Sequence, residues 1–357
     1  MSQLKPVYGN PIYLDREFEL WKGVHTFLEL RTSHRFNDDI PWGNLLGRFR
    51  DNGPSVNDVD LINERQIGSE NGPTEDDLPP DITYAVKNNL DRAAINDGIF
   101  ASHLKQTHFK SQNILPPKHT IIVRASDVEW HRGNDEYVAM NQEALDIFYA
   151  CCGDGNVKSR KGSKYYDPFM KLYYKRRVML SENIDVGNGV ANGTMCEFEG
   201  IVFKEGVDYD QLEKVVIDDY YVWTISVPQI DSIKLRILDG LQDENEIRFH
   251  YLKPVQVSVC VHYPMPLAPD VDRNTDRIWR NVRMKCFQLN VADARTIHKL
   301  QGRSITNLLI SVWDYTGNWI YVALSRVKTR AGLFLRLPLD FNKCRGISEE
   351  LISWLNE

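Results

Sequence analysis

Residues 296–302 read Thr-Ile-His-Lys-Leu-Gln-Gly and combine polar side chains with a glycine. Hydroxyl, imidazole and amide groups suit contacts to sugar–phosphate oxygens, and glycine permits close approach of a backbone. Thr296, His298 and Gln301 carry these groups and are suited to contact a nucleic-acid backbone, and we also predict a DNA contact by Lys299. A purely structural role is the alternative for His298, because a single histidine is more often structural than functional.

A basic and aromatic segment spans residues 158–177, KSRKGSKYYDPFMKLYYKRR. Its eight basic residues face one carboxylate, Asp167. Cations that follow phosphates, interleaved with rings that stack on unpaired bases, are the combination expected for binding single strands. The alternative is that the rings belong to a core and the charges to its solvated rim. We predict contacts to single-stranded DNA by Lys158, Lys164, Tyr165 and Tyr166.

Acidic and basic residues are concentrated in different segments of the chain. The net charge of −6 gives no global indication of nucleic-acid binding, and nine carboxylates face only Arg65 in residues 51–81. A local basic patch matters more than the total. A second basic stretch leads up to Thr296, and we predict a DNA contact within it at Arg283. The arginines of this stretch are Arg273, Arg277, Arg280 and Arg283.

The elements that must position these residues alternate in the first third of the chain. Apolar periodicity predicts a strand at 25–30, a helix at 41–51, a strand at 82–86 and a helix at about 91–105. Asp39 can cap the first helix. Ser55 with Asp58 resembles a capping box that opens a short helix ending at Asn63.

The middle and the end of the chain differ in pattern. Between about residues 165 and 263 the apolar residues fall in short β-type runs with Asn-Gly turns, which indicates a small inserted antiparallel barrel. Strands at 308–312 and 333–337 flank a helical run that begins at Trp319 and ends before Gly332. Such a βαβ unit predicts two parallel strands. One α/β domain interrupted by a β insert follows.

The bulk composition is that of a globular protein, with 42% apolar and 26% charged residues in a chain of 357. No apolar run reaches the roughly 18 residues that would cross a bilayer, and the N-terminus lacks the layout of a secretory signal. The six cysteines include no CxxC pair. Neither a zinc site nor a disulfide framework is indicated, so a reducing compartment is expected.

Two sequences could be mistaken for ATP-binding motifs. Residues 153–159 (GDGNVKS) end in Lys-Ser, but Val157 stands where a phosphate-binding loop needs glycine. Residues 215–219 (VVIDD) look like a strand ending in magnesium-binding carboxylates, but they follow no such loop. We interpret both as structural. The sequence contains no GxxxxGK(S/T) motif.

Residues 296–302 (TIHKLQG) and 321–326 (YVALSR) resemble the fifth and sixth motifs of superfamily-one helicases, in the form of the Pif-one/RecD-like branch. The resemblance continues in order along the chain. Residues 2–7 (SQLKPV) are similar to the end of the third motif, and residues 30–35 (LRTSHR) are similar to the fourth. Residues 178–183 (VMLSEN), together with Asn192-Gly193-Thr194, are similar to the start of the inserted barrel. The chain departs from the family where Leu300 replaces a small residue, Ser33 an asparagine and Cys196 a glycine.

This resemblance implies an ATP-dependent DNA helicase, an ATP hydrolase that unwinds DNA by translocating on single strands. By resemblance, the catalytic arginines Arg326 and Arg35 reach ATP bound mainly by another RecA-like domain. A guanidinium contributed across a cleft stabilises charge on the transferring phosphoryl group. Gln3 would sense the γ-phosphate, and Gln301 with Gly302 would belong to the segment that links DNA to the nucleotide.

The implied fold is α/β: a RecA-like parallel-sheet domain of the P-loop NTPase superfamily, interrupted by a small SH3-like β-barrel. We expect a remnant of the third motif with a linker at 1–16, the second RecA-like domain at 17–125 and 264–357, an unassigned insertion at 126–164 and the barrel at 165–263. ATP and Mg²⁺ would be bound mainly by a first RecA-like domain, in cis or in trans. The chain alone is therefore not expected to hydrolyse ATP.

A non-catalytic remnant that binds single-stranded nucleic acid, or an interaction module, is the competing interpretation. Single-stranded DNA is the expected partner, with no membrane and no metal ligands in this chain. The resemblance implies roles in DNA repair, recombination or telomere maintenance. We expect an intracellular, nuclear location, with mitochondrial and cytoplasmic locations left open.

Overall fold

The computed structural model describes residues 34–51, 53–108, 120–133, 136–153, 158–159, 167–208, 212–218, 220–239, 247–263, 278–313 and 319–344. The predicted strand at 25–30 and the segment at 1–16 lie outside these ranges. So do four of the predicted contact residues: Gln3, Lys164, Tyr165 and Tyr166. The side chain of Lys158 also lies outside the described part of the chain.

The described α-helices are α1 Ile40–Asp51, α2 Val56–Asn63, α3 Asn89–His108, α4 Gln142–Gly153, α5 Ile297–Leu300 and α6 Trp319–Leu324. The strands are β1 Thr83–Val86, β2 Thr120–Arg124, β3 Ser126–Gly133, β4 Glu136–Ala139, β5 Lys158–Ser159, β6 Phe169–Tyr173, β7 Arg177–Leu180, β8 Met195–Phe203, β9 Glu213–Ile217, β10 Tyr220–Ser226, β11 Ile230–Ile237, β12 Arg248–Leu252, β13 Val255–Tyr263, β14 Ile278–Cys286, β15 Leu289–Val291, β16 Ala294–Thr296, β17 Leu308–Ile310 and β18 Leu333–Leu335. No helix among the described residues is long and apolar enough to cross a membrane.

A parallel sheet joins the two ends of the chain, in the strand order β16–β1–β17–β18. Its central residue, Ala85, is fully buried and lies between Arg295 on β16 and Ile310 on β17. The parallel pairing of β17 with β18 confirms the predicted βαβ unit. The α/β part is therefore discontinuous, since the other sheets are built largely from residues between β1 and β16.

Helix α1 packs on this sheet through the apolar face that its spacing predicts. Trp42, Leu46 and Phe49 are buried in one cluster with residues of β17, β18 and α6. The helix begins after Asp39, whose carboxylate accepts a hydrogen bond from the backbone N–H of Trp42 at 3.0 Å. Each such buried side chain contributes about 1.5–3 kcal/mol relative to exposure. The predicted helix and its cap are confirmed.

The start of α2 is a reciprocal capping box, as predicted. The Ser55 hydroxyl accepts from the backbone N–H of Asp58, and the Asp58 carboxylate accepts from the backbone N–H of Ser55 at 3.0 Å. Arg48 of α1 also donates to Asp58 at 2.5 Å. This bond lowers the pKa of the Asp58 carboxyl to about 2. The capping residue therefore also joins α2 to α1.

Two further sheets share a second core. One has the order β6–β2–β10–β9, and the other, which is antiparallel, has the order β12–β11–β8–β7–β15. Buried side chains from both form one cluster, among them Ile121 of β2, Leu172 of β6, Phe198 of β8 and Ile233 of β11. The predicted β character of the middle of the chain is confirmed. The likeness to an SH3-type barrel stays a prediction.

A third β unit contains most of the segment that the sequence leaves unassigned. Its antiparallel order is β4–β3–β14–β13–β5, and α4 packs against one face. Phe148 of α4 lies in a cluster with Val128 of β3, Val259 of β13 and Met284 of β14. Strands β3, β4 and β5 are thus part of a sheet that is completed by β13 and β14, whose partners in β3 and β5 lie more than 100 residues earlier in the chain.

Two strands, β2 and β14, pair with strands that the predicted boundaries place outside the RecA-like domain. Strand β2 hydrogen-bonds to β6 and β10, and β14 to β3 and β13, although the sequence assigns both to the RecA-like segments 17–125 and 264–357. Burial alternates along β14, where Val282 and Met284 are buried and Arg283 is half-buried. One-sided burial suits an antiparallel sheet, whereas parallel strands are covered on both faces. The remaining boundaries stay predictions.

The two sequences that resemble ATP-binding motifs lie in these β units. Gly153 ends α4, and Lys158 and Ser159 form β5, which pairs antiparallel with β13. Val215 to Ile217 lie in β9, and Asp218 follows in a turn with a φ of 46°. For the described residues of both segments, the structural interpretation is confirmed.

Candidate functional site

Arg35 and Arg326 meet at the turn that follows α6. Arg35 lies in a 3₁₀ turn ahead of α1, and its Nη1 donates to the backbone carbonyl of Ser325 at 3.0 Å. Arg326 donates from Nη2 to the Ser325 hydroxyl at 2.8 Å and from Nε to the Val322 carbonyl at 2.9 Å. Two arginines that are distant in sequence are thus held beside one serine.

The electrostatics of this pair favour an anion. Burial lowers the pKa of the Arg326 guanidinium, and the charge of Arg35 lowers it further. Among the described residues, no carboxylate forms an ion pair with either arginine, because their partners are neutral carbonyl and hydroxyl oxygens. Guanidinium groups bind phosphate oxygens through charge-assisted hydrogen bonds. The pair is suited to receive a phosphate group.

A groove of about 530 Å³ opens at the carboxyl ends of β1 and β16. Open α/β sheets bind ligands at this edge. The parallel sheet borders one side of the groove, and the turn at Asn192 borders another. Its polar lining residues include Lys87, Asn88, Asn89, Arg92, Ser181, Asn192, Asn290, Thr296, His298 and Lys299.

Residues 296–300 present their polar groups to this groove. The hydroxyl of Thr296 is not used to cap α5. His298 and Lys299 are exposed, and the His298 ring lies 4.3 Å from the ring of Trp319 at 53°. Three of the predicted DNA contacts are therefore brought together. Lys87 and Arg92 are two further basic residues in the lining of the groove.

The end of this segment has a different environment. Leu300 is fully buried in the core with α1 and β17. The side chain that stands in place of a small residue therefore faces the core and not the groove. Gln301 is exposed, and Gly302 adopts a φ of 80°, a left-handed conformation that glycine accommodates without strain. Neither Gln301 nor Gly302 lines the groove.

Arg283 does not line this groove. It lies on β14, forms an ion pair with Glu129 at 2.6 Å and places its guanidinium over the Tyr137 ring at 4.2 Å. Lys158 lies in β5 of the same sheet. The predicted DNA contacts at Arg283 and Lys158 are thus separated from Thr296 and His298, in a different sheet.

The basic and aromatic segment enters the protein core at its end. Arg176 is 1% exposed and forms an ion pair with Asp293 at 2.8 Å. It also donates to the carbonyls of Asn96 at 2.6 Å and Lys171 at 2.5 Å. Tyr173 stacks on the His103 ring at 3.9 Å. Tyr173 thus packs against a core cluster, as the alternative interpretation expects, whereas the Arg176 charge is buried and does not lie on a solvated rim.

Arg176 and Asn96 position the strand that leads to Thr296. The Asn96 side chain accepts a hydrogen bond from the backbone N–H of Ala294 at 2.8 Å, next to the Asp293 that pairs with Arg176. Arg295 is also buried, and burial lowers its pKa to about 10. This network fixes the start of β16 against α3. Because the ion pair of Arg176 with Asp293 joins residues that are distant in sequence, no local sequence pattern predicts it.

Lys87, Asn88 and Arg92 are groove residues that sequence reasoning missed. They follow β1, whose strand was predicted, and the Asn88 side chain accepts from the backbone N–H of Asp91 at 2.8 Å at the start of α3. The available signal was a polar turn directly after a buried strand. No group of three or more His, Cys, Asp or Glu side chains among the described residues is arranged to hold a metal ion.

The fold is mixed α/β, with a four-stranded parallel sheet extended by further β sheets, and solved structures share it. A Pif1 helicase from Candida albicans has a TM-score of 0.51 at 16% identity, over 91% of this chain and 59% of that one. Bacteroides Pif1 bound to ssDNA has a TM-score of 0.50 at 18% identity, over 99% of this chain and 64% of that one. No protein-family model and no curated protein sequence matches the chain.

Over most of its length, the chain therefore has the fold of Pif1 helicases. It spans about 60% of the length of the two helicases that it matches. Residues 296–302 and 321–326, whose sequences resemble helicase motifs, both lie at the sites described above.

Proposed function

We propose that this chain is the C-terminal part of an ATP-dependent DNA helicase that translocates on single strands, from the end of the third motif through the sixth. The observation that carries the proposal is that Arg35 and Arg326 both bind Ser325, in the turn after α6, and that neither has a carboxylate partner among the described residues. Two such cations are suited to the developing charge of a transferring γ-phosphoryl group.

The groove beside β16 is the proposed path of the single strand. Lys87, Arg92 and Lys299 supply cations for phosphates, and Thr296 and His298 supply neutral contacts to the sugar–phosphate backbone. These groups do not read base identity, so binding without strong sequence preference is expected. The Bacteroides helicase with this fold is bound to ssDNA, which supports the same ligand here.

ATP and Mg²⁺ would be held mainly by a first RecA-like domain, acting in cis or in trans. The 357 residues contain no GxxxxGK(S/T) loop, so the phosphate cradle of the nucleotide site has to come from that domain. Arg35 and Arg326 would then act across the cleft, with Gln3 sensing the γ-phosphate and Gln301 and Gly302 linking the nucleotide to DNA. Domain closure on ATP would drive unwinding.

Fluorescence anisotropy with labelled oligonucleotides tests the DNA part of this proposal on the chain itself. We expect binding of a single-stranded 12-mer to be tighter than that of a duplex of equal length, and to weaken as salt rises. Lys299→Met should reduce the salt slope by about 1 because one phosphate contact is lost. Lys253→Met is the matched control, because Lys253 is paired with Asp231 at 2.6 Å and does not line the groove.

Equal affinity for single and double strands, or an unchanged slope for Lys299→Met, would contradict the proposed path. Binding of single strands without any stimulation of ATP hydrolysis in a reconstituted two-domain protein would instead favour the non-catalytic binding module.

A further inference from the structure

Arg303 connects residues 296–302 to the inserted β region. It follows Gly302 directly, and its Nη1 lies 2.5 Å from the Asp239 carboxylate. Its Nη2 donates to the backbone carbonyl of Gly193. Arg303 and Asp239 are 31% and 35% exposed, so the contact is only partly screened by water. The Arg303 side chain thus joins the end of residues 296–302 to two places in the inserted β region. These are Asp239, just after β11, and Gly193, just before β8.

The partner side of this contact is itself fixed. The Asp239 carboxylate also accepts from the backbone N–H of Met195 at 2.8 Å, and the Asp239 carbonyl accepts from Arg248 at 3.0 Å. Gly193 donates its N–H to the Leu180 carbonyl at 2.8 Å. The residues that Arg303 contacts are therefore held in place by hydrogen bonds to β7, β8 and β12, and these bonds would oppose a movement of Arg303.

Gly193 fits the close approach of Arg303. Its φ of 91° lies in the region where side chains are strained, and an added Cβ would lie 2.9 Å from the Arg303 Nη2. The Asn192-Gly193 turn is thus shaped to receive a guanidinium, since any side chain at Gly193 would displace Arg303.

Backbone hydrogen bonds of the residues after Arg303 connect it to Arg326, one of the two arginines that bind Ser325. Ile305, two residues further on, donates its N–H to the Arg326 carbonyl at 2.8 Å and accepts from the N–H of Lys328 at 3.1 Å. The backbone N–H of Arg303 donates to the Leu300 carbonyl at 3.0 Å. A short hydrogen-bonded path therefore runs from the turn at Gly193 through Arg303 and Ile305 to Arg326.

Arg303 lies behind the groove rather than in its wall. The groove is lined by Asn192, which precedes Gly193, and by Thr296, His298 and Lys299, which precede Arg303. We propose that Arg303 is a positioning residue that fixes the distance between the Asn192 turn and α5, and so the width of the groove, and couples this width to Arg326. The proposal rests on the proposed function, in which this groove receives a single strand.

Removal of a negative charge at Asp239 changes DNA affinity in opposite directions for a positioning role and for a purely electrostatic effect. Asp239→Asn removes a negative charge near the groove, so electrostatics alone would strengthen DNA binding. If Arg303 acts by position, the same substitution weakens binding because the ion pair is lost. Arg303→Met removes the cation and keeps a side chain of similar length.

The experiment measures the affinity of the 357-residue chain for a labelled single-stranded 12-mer across a salt series. We expect Arg303→Met and Asp239→Asn each to weaken binding by about tenfold, within the range by which indirect couplings act. The double variant should bind no more weakly than either single variant. The salt slope should stay unchanged, whereas the loss of a phosphate contact would lower it by about 1.

The matched controls are Arg336→Met and Glu75→Gln, which break an ion pair between an exposed arginine and an exposed glutamate away from the groove. Both should bind within about twofold of wild type, because an exposed pair contributes little to stability and neither residue lines the groove. Arg303→Lys keeps the charge but cannot make both contacts, so it should give an intermediate affinity if Arg303→Met fails to fold. Binding by Asp239→Asn at or above wild-type strength would overturn the proposal.

Hydrogen exchange of the DNA-free chain tests the contact separately from the proposed function. Arg303→Met should raise amide exchange both in residues 188–195 and in residues 296–302, because each segment loses the same anchor. Increased exchange in only one segment, or in neither, would overturn the positioning role. If wild type fails to bind single strands, the proposed function fails while this readout still decides the role of Arg303.

Discussion

Arg35 and Arg326 share Ser325 as a hydrogen-bond partner, one through its backbone carbonyl and the other through its hydroxyl. The two contacts measure 3.0 Å and 2.8 Å. The arrangement holds two like charges near each other, and the charge of Arg35, after burial, lowers the pKa of Arg326. Such a pair is stabilised when an anion binds between the charges or beside them. The ligand that this pair most directly implies is a phosphate group.

Arg326→Ala should abolish most ATP hydrolysis in a two-domain protein reconstituted with a first RecA-like domain. We expect kcat to fall by about 10³-fold or more, because an arginine that stabilises a phosphoryl transition state contributes that much. Steady-state phosphate release measures the change. Arg330→Ala is the matched control, since Arg330 lies on the same segment but is paired with Glu64 at 2.7 Å. A loss below tenfold for Arg326→Ala would exclude the finger role.

Arg176→Met should destabilise the chain by about 3–5 kcal/mol, because it leaves the buried Asp293 carboxylate uncompensated. The side chains of this ion pair are 1% and 8% exposed. Adding Asp293→Asn should restore part of the loss. The exposed pair Lys253–Asp231 provides the comparison, and its removal should cost about 0–1 kcal/mol. Urea unfolding measures both, and equal costs for the two pairs would contradict the structural role of Arg176.

Asp167 should make the chain less stable as pH rises from about 4 to 7. Burial raises the pKa of its carboxyl from 3.8 to about 6 in the folded chain. The folded state therefore holds the proton more tightly than the unfolded state, and this contribution is lost as pH passes through the folded value. Asp167→Asn should remove the dependence and stabilise the chain at pH 7 by up to about 3 kcal/mol.

The measurement for Asp167 is the free energy of unfolding of wild type and Asp167→Asn at pH 4.5 and pH 7. A difference between the two proteins that grows with pH supports the assignment. A difference that is constant over this interval would show that Asp167 does not titrate in it. Because other carboxyls titrate in both proteins, only the difference between them is informative.

Leu300→Ser should destabilise the chain, although a small residue is usual at this position in the helicases that residues 296–302 resemble. Leu300 is fully buried, so truncation leaves a cavity that costs about 2–5 kcal/mol. Thermal unfolding measures this loss. DNA affinity should change by less than twofold at a temperature where the variant is folded. Tighter binding of single strands by Leu300→Ser would indicate that position 300 faces DNA after all.

Local sequence patterns determined most of the α/β elements near the candidate site. The cap at Asp39, the capping box of Ser55 with Asp58 and the parallel strands β17 and β18 follow from interactions within a few residues or from one βαβ unit. Such short-range signals act on any chain that contains them. Thr296 and His298 could be selected in the same way, because their chemical types stand in one short segment.

Tertiary structure decided the placement of strands and charges that depend on distant partners. Strand β2 is buried on both faces, so its composition did not reveal that it pairs with β6 and β10 rather than with the parallel sheet. Arg176 belongs to the segment whose charges the sequence assigns to DNA contacts or to a solvated rim, but Asp293 and the carbonyl of Asn96 enclose it. Burial of a charge depends on partners that local spacing does not encode.

The sequence by itself thus determined which residue types were available for phosphate and nucleic-acid contacts and on which local elements they lie. Only the tertiary structure decided which of them meet. It brought Arg35 to Arg326, added Lys87 and Arg92 to the groove of Thr296, and separated Arg283 from it by pairing that arginine with Glu129. The physical reason is that helix caps and apolar periodicity act locally, whereas strand pairing and ion pairing are settled by contacts across the whole chain.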